Sequence, residues 1–203
     1  ANVFLFDSRL YKTLLDLIVK PGKTAEIYLA GKRKNILPPF QFFLLFMTIY
    51  LLIFNYLGDN VFSLINEGVE TNSQLSKIEK IQSMIKNQLD LLYFVLTPII
   101  ALYVRLFFKK SGYNYAETLI FSLYIIGVNF LLSTITVIGT LFEPKVFLFK
   151  SLIVLVYLPF AVAQFTKPFS FGGIVKSFFT IILSYLTFII IVSFIVILSI
   201  IIG

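Results

Sequence analysis

Five apolar runs of roughly twenty residues constrain this chain more than any other feature. They cover residues 38–57, 89–108, 117–142, 146–165 and 177–202. The hydrocarbon core of a bilayer is about 30 Å thick and takes roughly 20 helical residues to cross. The composition points the same way: 59% of the 203 residues are apolar and 13% charged. An average soluble domain has about 45–50% apolar and about 25% charged residues. The expected fold class is all-α, a polytopic transmembrane helical bundle of about five spans over residues 38–203. A cytoplasmic segment, residues 1–37, precedes it and includes an interfacial amphipathic helix.

The fourth run is the weakest. Lys150 interrupts it and leaves an uncharged core only from Ser151 to Ala163. A lysine one turn inside the interface can snorkel outward; the alternative is a functional intramembrane cation. Pro98 and Pro159 lie inside the second and fourth runs and should bend their helices, which is read first as packing geometry. Residues 1–20 do not read as a signal peptide, because Asp7, Arg9, Lys12 and Asp16 interrupt the stretch.

The chain contains no Cys and no His. Disulfides, thiolate nucleophiles, Cys- or His-ligated metals and classical triads are therefore excluded. No catalytic residues, metal ligands or cofactors are assigned. The net charge of +7 is first a topology signal. One side of the membrane receives 12 Lys and Arg and the other receives 5. The positive-inside rule then places the N-terminus in the cytoplasm and the C-terminus outside. If the fourth run were re-entrant, the C-terminus would be cytoplasmic instead. The basic residues are spread along the loops as topology requires, so no nucleic-acid partner is expected.

Residues 9–19 read RLYKTLLDLIV. Leu10, Leu14, Leu17 and Ile18 share one helical face, and Arg9, Lys12, Thr13 and Asp16 the other. Such a helix suits the membrane interface, with Asp7 or Ser8 as its cap and Pro21-Gly22 as its stop. A second short helix is expected from Thr24 to Ala30, ended by Gly31. Lys32, Arg33 and Lys34 follow directly and, with Arg105, Lys109 and Lys110, are the candidate contacts for anionic lipid headgroups. Gly22-Lys23-Thr24 is not a phosphate loop, because Leu17 stands where the motif needs glycine.

Three segments carry a family resemblance. They are Pro21-Gly22-Lys23-Thr24, Tyr28-Leu29-Ala30-Gly31-Lys32-Arg33, and Pro38-Pro39-Phe40 opening the first span. The chain resembles an uncharacterised Bacteroidota family of small polytopic inner-membrane proteins containing a domain of unknown function. Tyr113-Asn114-Tyr115-Ala116-Glu117 is similar to that family's second recognisable stretch. Many relatives begin with a Cys-rich, zinc-ribbon-like head, which this Cys-free sequence lacks. The resemblance implies an inner-membrane helical bundle and supplies no activity.

Between the first two runs, residues 74–88 form a predicted external amphipathic helix. Leu75, Ile78, Ile81 and Ile85 recur at helical spacing and are candidate partner contacts, with packing on lipid or on the protein's own bundle as the plainer reading. Asn129, Ser133, Thr136 and Ser193 lie inside runs as candidate pore-lining or helix-packing residues. The leading expectation is a non-enzymatic subunit, accessory or scaffold protein acting through helix contacts. It implies a homo-oligomer or a partner protein in a membrane complex. The alternative is an oligomeric pore, channel or transport protein, including a membrane-disrupting effector. A lipid-acting enzyme around Arg105, Lys109, Tyr113, Tyr115 and Glu117 is the least supported.

Overall fold

Proline and glycine set the first breaks in the fold. The computed structural model describes residues 3–66, 94–143, 145–167 and 170–202, which are helical with short connections. Helix α1 (Val3–Val19) ends just before Lys20, and α2 (Pro21–Leu29) starts with Pro21 in its first position. A proline there forfeits only an N–H that had no partner in the helix. Pro21-Gly22 therefore opens the second helix, earlier than the expected Thr24. Helix α1 also begins before the expected caps, so Asp7 and Ser8 lie within it. Gly31 does terminate α2, with φ at +84°, a conformation open to glycine.

Leu10, Leu14 and Leu17 of the expected apolar face of α1 pack into the bundle, while Ile18 is exposed. Leu17 is fully buried, but so is Thr13, which the helical pattern places on the polar side. The Thr13 hydroxyl donates to the Arg9 carbonyl at 2.7 Å and accepts the Leu37 N–H at 2.9 Å. One hydroxyl thus satisfies two backbone groups and ties α1 to the connection ahead of α3. Tyr124 holds the same residue from the other side, donating its hydroxyl to the Leu37 carbonyl at 2.7 Å. Tyr11, Leu15, Ile18 and Val19 form a second, exposed apolar face on α1.

Helix α3 (Pro39–Asn66) packs along α5 (Tyr115–Thr140) in the most extensive helix pairing among the described residues. Gly127 permits it: a Cβ there would lie 2.6 Å from the Phe42 ring. Phe43 and Tyr50 meet Phe130 on either side of that contact. The start of α5 is set by a capping box. Asn114 Oδ1 accepts the Glu117 N–H at 2.9 Å, and Glu117 Oε2 accepts the Asn114 N–H at 2.8 Å. Helices α6 (Val146–Thr166) and α7 (Phe171–Ile202) complete the bundle, with α6 between α5 and α7. Helix α4 (Phe94–Phe107) joins through Phe94 on Phe43 and a 2.7 Å hydrogen bond between Tyr103 and Thr187.

Among the described residues three helices are long and apolar enough to cross a membrane: Pro39–Gly58, Tyr115–Thr140 and Phe171–Ile195. This is fewer than five. The apolar stretch of α4 is Phe94–Phe107, and the rest of the expected second span lies outside the described residues. Among the described residues that of α6 is Leu152–Thr166. Helix α5 is central, with 72% of its apolar window buried, against 22% for α3 and α7 on the perimeter. The predicted helix at residues 74–88, with Leu75, Ile78, Ile81 and Ile85, lies outside the described residues.

A close backbone approach joins α2 to α6. A Cβ on Gly22 would lie 2.5 Å from the Phe165 backbone nitrogen and 2.6 Å from the Gln164 carbonyl carbon. Overpacking of this kind costs about 1–3 kcal/mol. Gly22→Ala should therefore lower the melting temperature in detergent measurably. Gly172→Ala, where nothing lies within 4 Å of the added carbon, should leave it nearly unchanged.

Candidate basic site at one end of the bundle

Three separate parts of the chain bring lysines to one end of the bundle. The short 3-10 turn Lys109–Ser111 follows α4 and supplies Lys109 and Lys110. Lys167 caps α6, and Lys176 lies in the second turn of α7. These four line a pocket of about 400 Å³ floored by Phe107, Thr166 and Gly173. Gly112 takes φ +81° and ends the turn that presents Lys109 and Lys110. The Lys176 ammonium stands 5.1 Å from the centre of the Phe108 ring, which holds its stem across the pocket wall.

Lys167 is shared with a second pocket of about 380 Å³, lined also by Lys20, Lys23, Glu26 and Gln164. The two pockets together collect six lysines against the one carboxylate of Glu26. That carboxylate is bonded twice. Lys167 Nζ lies 2.7 Å from Glu26 Oε1, and the Tyr113 hydroxyl donates to the same oxygen at 3.0 Å. Exposed ion pairs contribute little to stability, and Lys167 is largely exposed. The pair is better read as fixing the position of the α6 end. Tyr113 stacks on Phe165 at 4.2 Å, and Phe165 stacks on Phe121 at 4.2 Å. On the other side of the pocket, Gly22 N–H donates to Gln164 Oε1 at 2.8 Å. The lysines thus sit on a rigid aromatic and hydrogen-bonded base.

The other candidate residues separate into groups. Lys32, Arg33 and Lys34 are exposed just past α2. The Arg33 guanidinium lies over the Tyr28 ring at 5.0 Å. Arg105 lines neither pocket. The candidate pore residues do not converge. Ser133 and Thr136 donate their hydroxyls to the Asn129 and Leu132 carbonyls of their own helix. Ser193 is partly exposed on α7. Asn129 lines a cavity together with Lys150. Sequence reasoning missed Lys167, Lys176, Glu26 and Gln164 as a group, because they meet only when α2, α6 and α7 are assembled. The capping box was readable as an Asn-x-x-Glu pattern before an apolar run.

Burial raises the Tyr113 phenol from its ordinary value near 10 to about 12, and the Glu26 carboxylate on its hydroxyl adds to the shift. A group with a raised folded-state pKa contributes stability that is complete below its unfolded value and is lost as pH rises through the folded one. The Tyr113 contribution should therefore hold below pH 10 and disappear between pH 10 and about 12. Comparing melting temperatures of the native protein and Tyr113→Phe across that range checks it. The gap between them should narrow as pH rises, and a constant gap would contradict the assignment.

A family model described as a protein of unknown function (DUF3667) matches residues 7–51. No curated protein and no solved structure matches the chain. The matched stretch is similar to that family over most of α1, all of α2 and the first part of α3. It contains Thr13, Gly22, Glu26 and Leu37, the residues that fasten the N-terminal helices to the bundle.

Proposed function

We propose that this chain is a multi-pass protein of a bacterial inner membrane whose lysine-rich end engages the anionic headgroups of the cytoplasmic leaflet. It then acts as a non-enzymatic scaffold or accessory subunit. One observation carries the reading: Lys109, Lys110, Lys167 and Lys176 converge on one pocket from three parts of the chain. Juxtamembrane lysines gain about 1 kcal/mol each near an anionic surface. Positive residues also mark the cytoplasmic side, so the same end faces the cytoplasm and the α5–α6 turn faces outward. The bacterial and inner-membrane assignment rests on the resemblance in residues 21–40.

Five crossings remain the reading for the whole chain. Helix α6 has 21 residues and is about 31 Å long at 1.5 Å per residue, enough to span if Lys150 reaches the interface. The exposed apolar face of α1 then rests on lipid while its buried face holds the bundle, which keeps an interfacial place for this helix. The non-enzymatic reading is supported by the lack of Cys and His in the sequence, which removes the commonest catalytic side chains. A homo-oligomer or a partner protein in a membrane complex remains part of the proposal. A pore reading draws less support, since Ser133 and Thr136 turn their hydroxyls to their own backbone.

The test is thermal stability in nanodiscs of phosphatidylcholine alone and of phosphatidylcholine mixed with phosphatidylglycerol. The native protein should melt several degrees higher in the mixed discs, and the gain should shrink at high salt. The triple variant Lys109→Gln, Lys110→Gln, Lys176→Gln should lose most of that gain while melting normally in the neutral discs. An equal gain in the variant would remove the pocket from the account.

A further inference from the structure

A third cavity lies away from the basic end, between α5, α6 and α7. Its volume is about 360 Å³, within the range of roughly 300–1,000 Å³ typical of small-molecule sites. Its walls are mostly aliphatic: Val154, Leu155, Ile181, Ile182, Leu186 and Ile189. Leu155, Leu186 and Ile189 are about half exposed, so the cavity opens as a groove toward the lipid side of α6 and α7. Three residues bring polar groups to this lining, Asn129 on α5, Lys150 on α6 and Tyr185 on α7.

Asn129 is buried and Lys150 half-buried, and neither the Asn129 Oδ1 nor the Lys150 ammonium has a partner among the described residues. Asn129 is 5% exposed, and its Oδ1 has no hydrogen-bond partner. An unpartnered buried amide is costly, more so away from water. Among the described residues no carboxylate pairs with Lys150. Pro159, four residues after Leu155, supplies no N–H to the Leu155 carbonyl in the same wall. Lys150 is only four residues into α6, about 6 Å along its axis. That depth is close enough to the interface for a lipid phosphate to reach.

We infer that this groove is a binding site for one anionic glycerophospholipid of the leaflet bordering the α5–α6 turn. Its phosphate pairs with Lys150, its ester region bonds Asn129, and one acyl chain fills the aliphatic groove. Charge complementarity selects the occupant, since a lone cation beside an apolar channel matches an anionic head joined to a hydrocarbon chain. The ester carbonyl is an acceptor, so the N–H donors of the Asn129 amide nitrogen serve it. The site is distinct from the lysine pocket and shares no residue with it.

Native mass spectrometry of the protein from mild detergent tests the inference. The full chain is exchanged beforehand into nanodiscs of equal phosphatidylcholine and phosphatidylglycerol. The native protein should retain one phosphatidylglycerol per chain. Lys150→Gln should cut the retained fraction at least tenfold, and Lys150→Arg should keep it. Leu186→Trp, which fills the open groove from its exposed edge, should also displace the lipid and covers the case in which Lys150→Gln fails to fold. Equal retention in all variants would overturn the inference. So would retention of phosphatidylcholine in equal amount, of a free fatty acid instead of phospholipid, or of a second protein copy in place of lipid. Loss of retention on changing Lys109, Lys110 and Lys176, with Lys150 intact, would place the lipid at the basic end and overturn it as well.

Discussion

The backbone of α2 lies directly on the backbone of α6, and the rest of the assembly depends on that contact. Helices in a bilayer gain little from hiding apolar surface, because the lipid is as apolar as they are. Close approach and hydrogen bonding must hold them together instead. Gly22 supplies both: it has no side chain to keep Phe165 away, and its N–H bonds Gln164 Oε1. With α2 seated, Glu26 reaches Lys167 and Tyr113. The connection to α3 then passes between Thr13 and Tyr124, both of which bond Leu37. Helix α1 follows, its Leu17 carbonyl accepting from the Tyr157 hydroxyl at 3.0 Å. Residues outside the long apolar runs thereby become part of the core.

Many of the buried hydroxyls are handled by one repeated device, though Thr97 Oγ1 has no partner. Thr134, Thr140, Thr166, Ser177 and Ser184 each donate to the carbonyl four residues earlier. These groups need no partner from another helix and no water. Their presence in apolar runs therefore says little about a pore or a path. Asn129 differs because its amide is longer and carries both donors and an acceptor, which its own helix does not satisfy. Its position beside Lys150 concentrates the polarity of the spans at one place.

Much of the fold was legible in the sequence. The apolar runs located α3, α5, α6 and α7, and the opposite placement of lysines and apolar segments anticipated a basic end. The role of residues 1–37 was less legible. Helical periodicity ranks Thr13 as polar, although a threonine that bonds backbone on both sides can be fully buried. Gly22 reads as a helix stop from its neighbours Pro21 and Lys23, and only the position of α6 shows why a side chain is excluded. The candidate site was half visible. Lys109 and Lys110 stood out as a pair, but Lys167 and Lys176 join them through tertiary packing alone. Five crossings were read from run length. Lys150 shortens one of those runs, and its side chain lines a groove rather than only an interface.

The most direct test of the account is whether α2 docks against the end of α6 in a membrane. The chain has no Cys, so Glu26→Cys and Lys167→Cys can be introduced together without background. A short bis-maleimide should link the two cysteines within one chain in native membranes, detected by mass spectrometry of the digested protein. The account predicts efficient linkage for this pair and little for Lys34→Cys with Phe142→Cys. If both Glu26→Cys and Lys167→Cys react singly with maleimide yet never link, the N-terminal helices are not part of the bundle and the account fails.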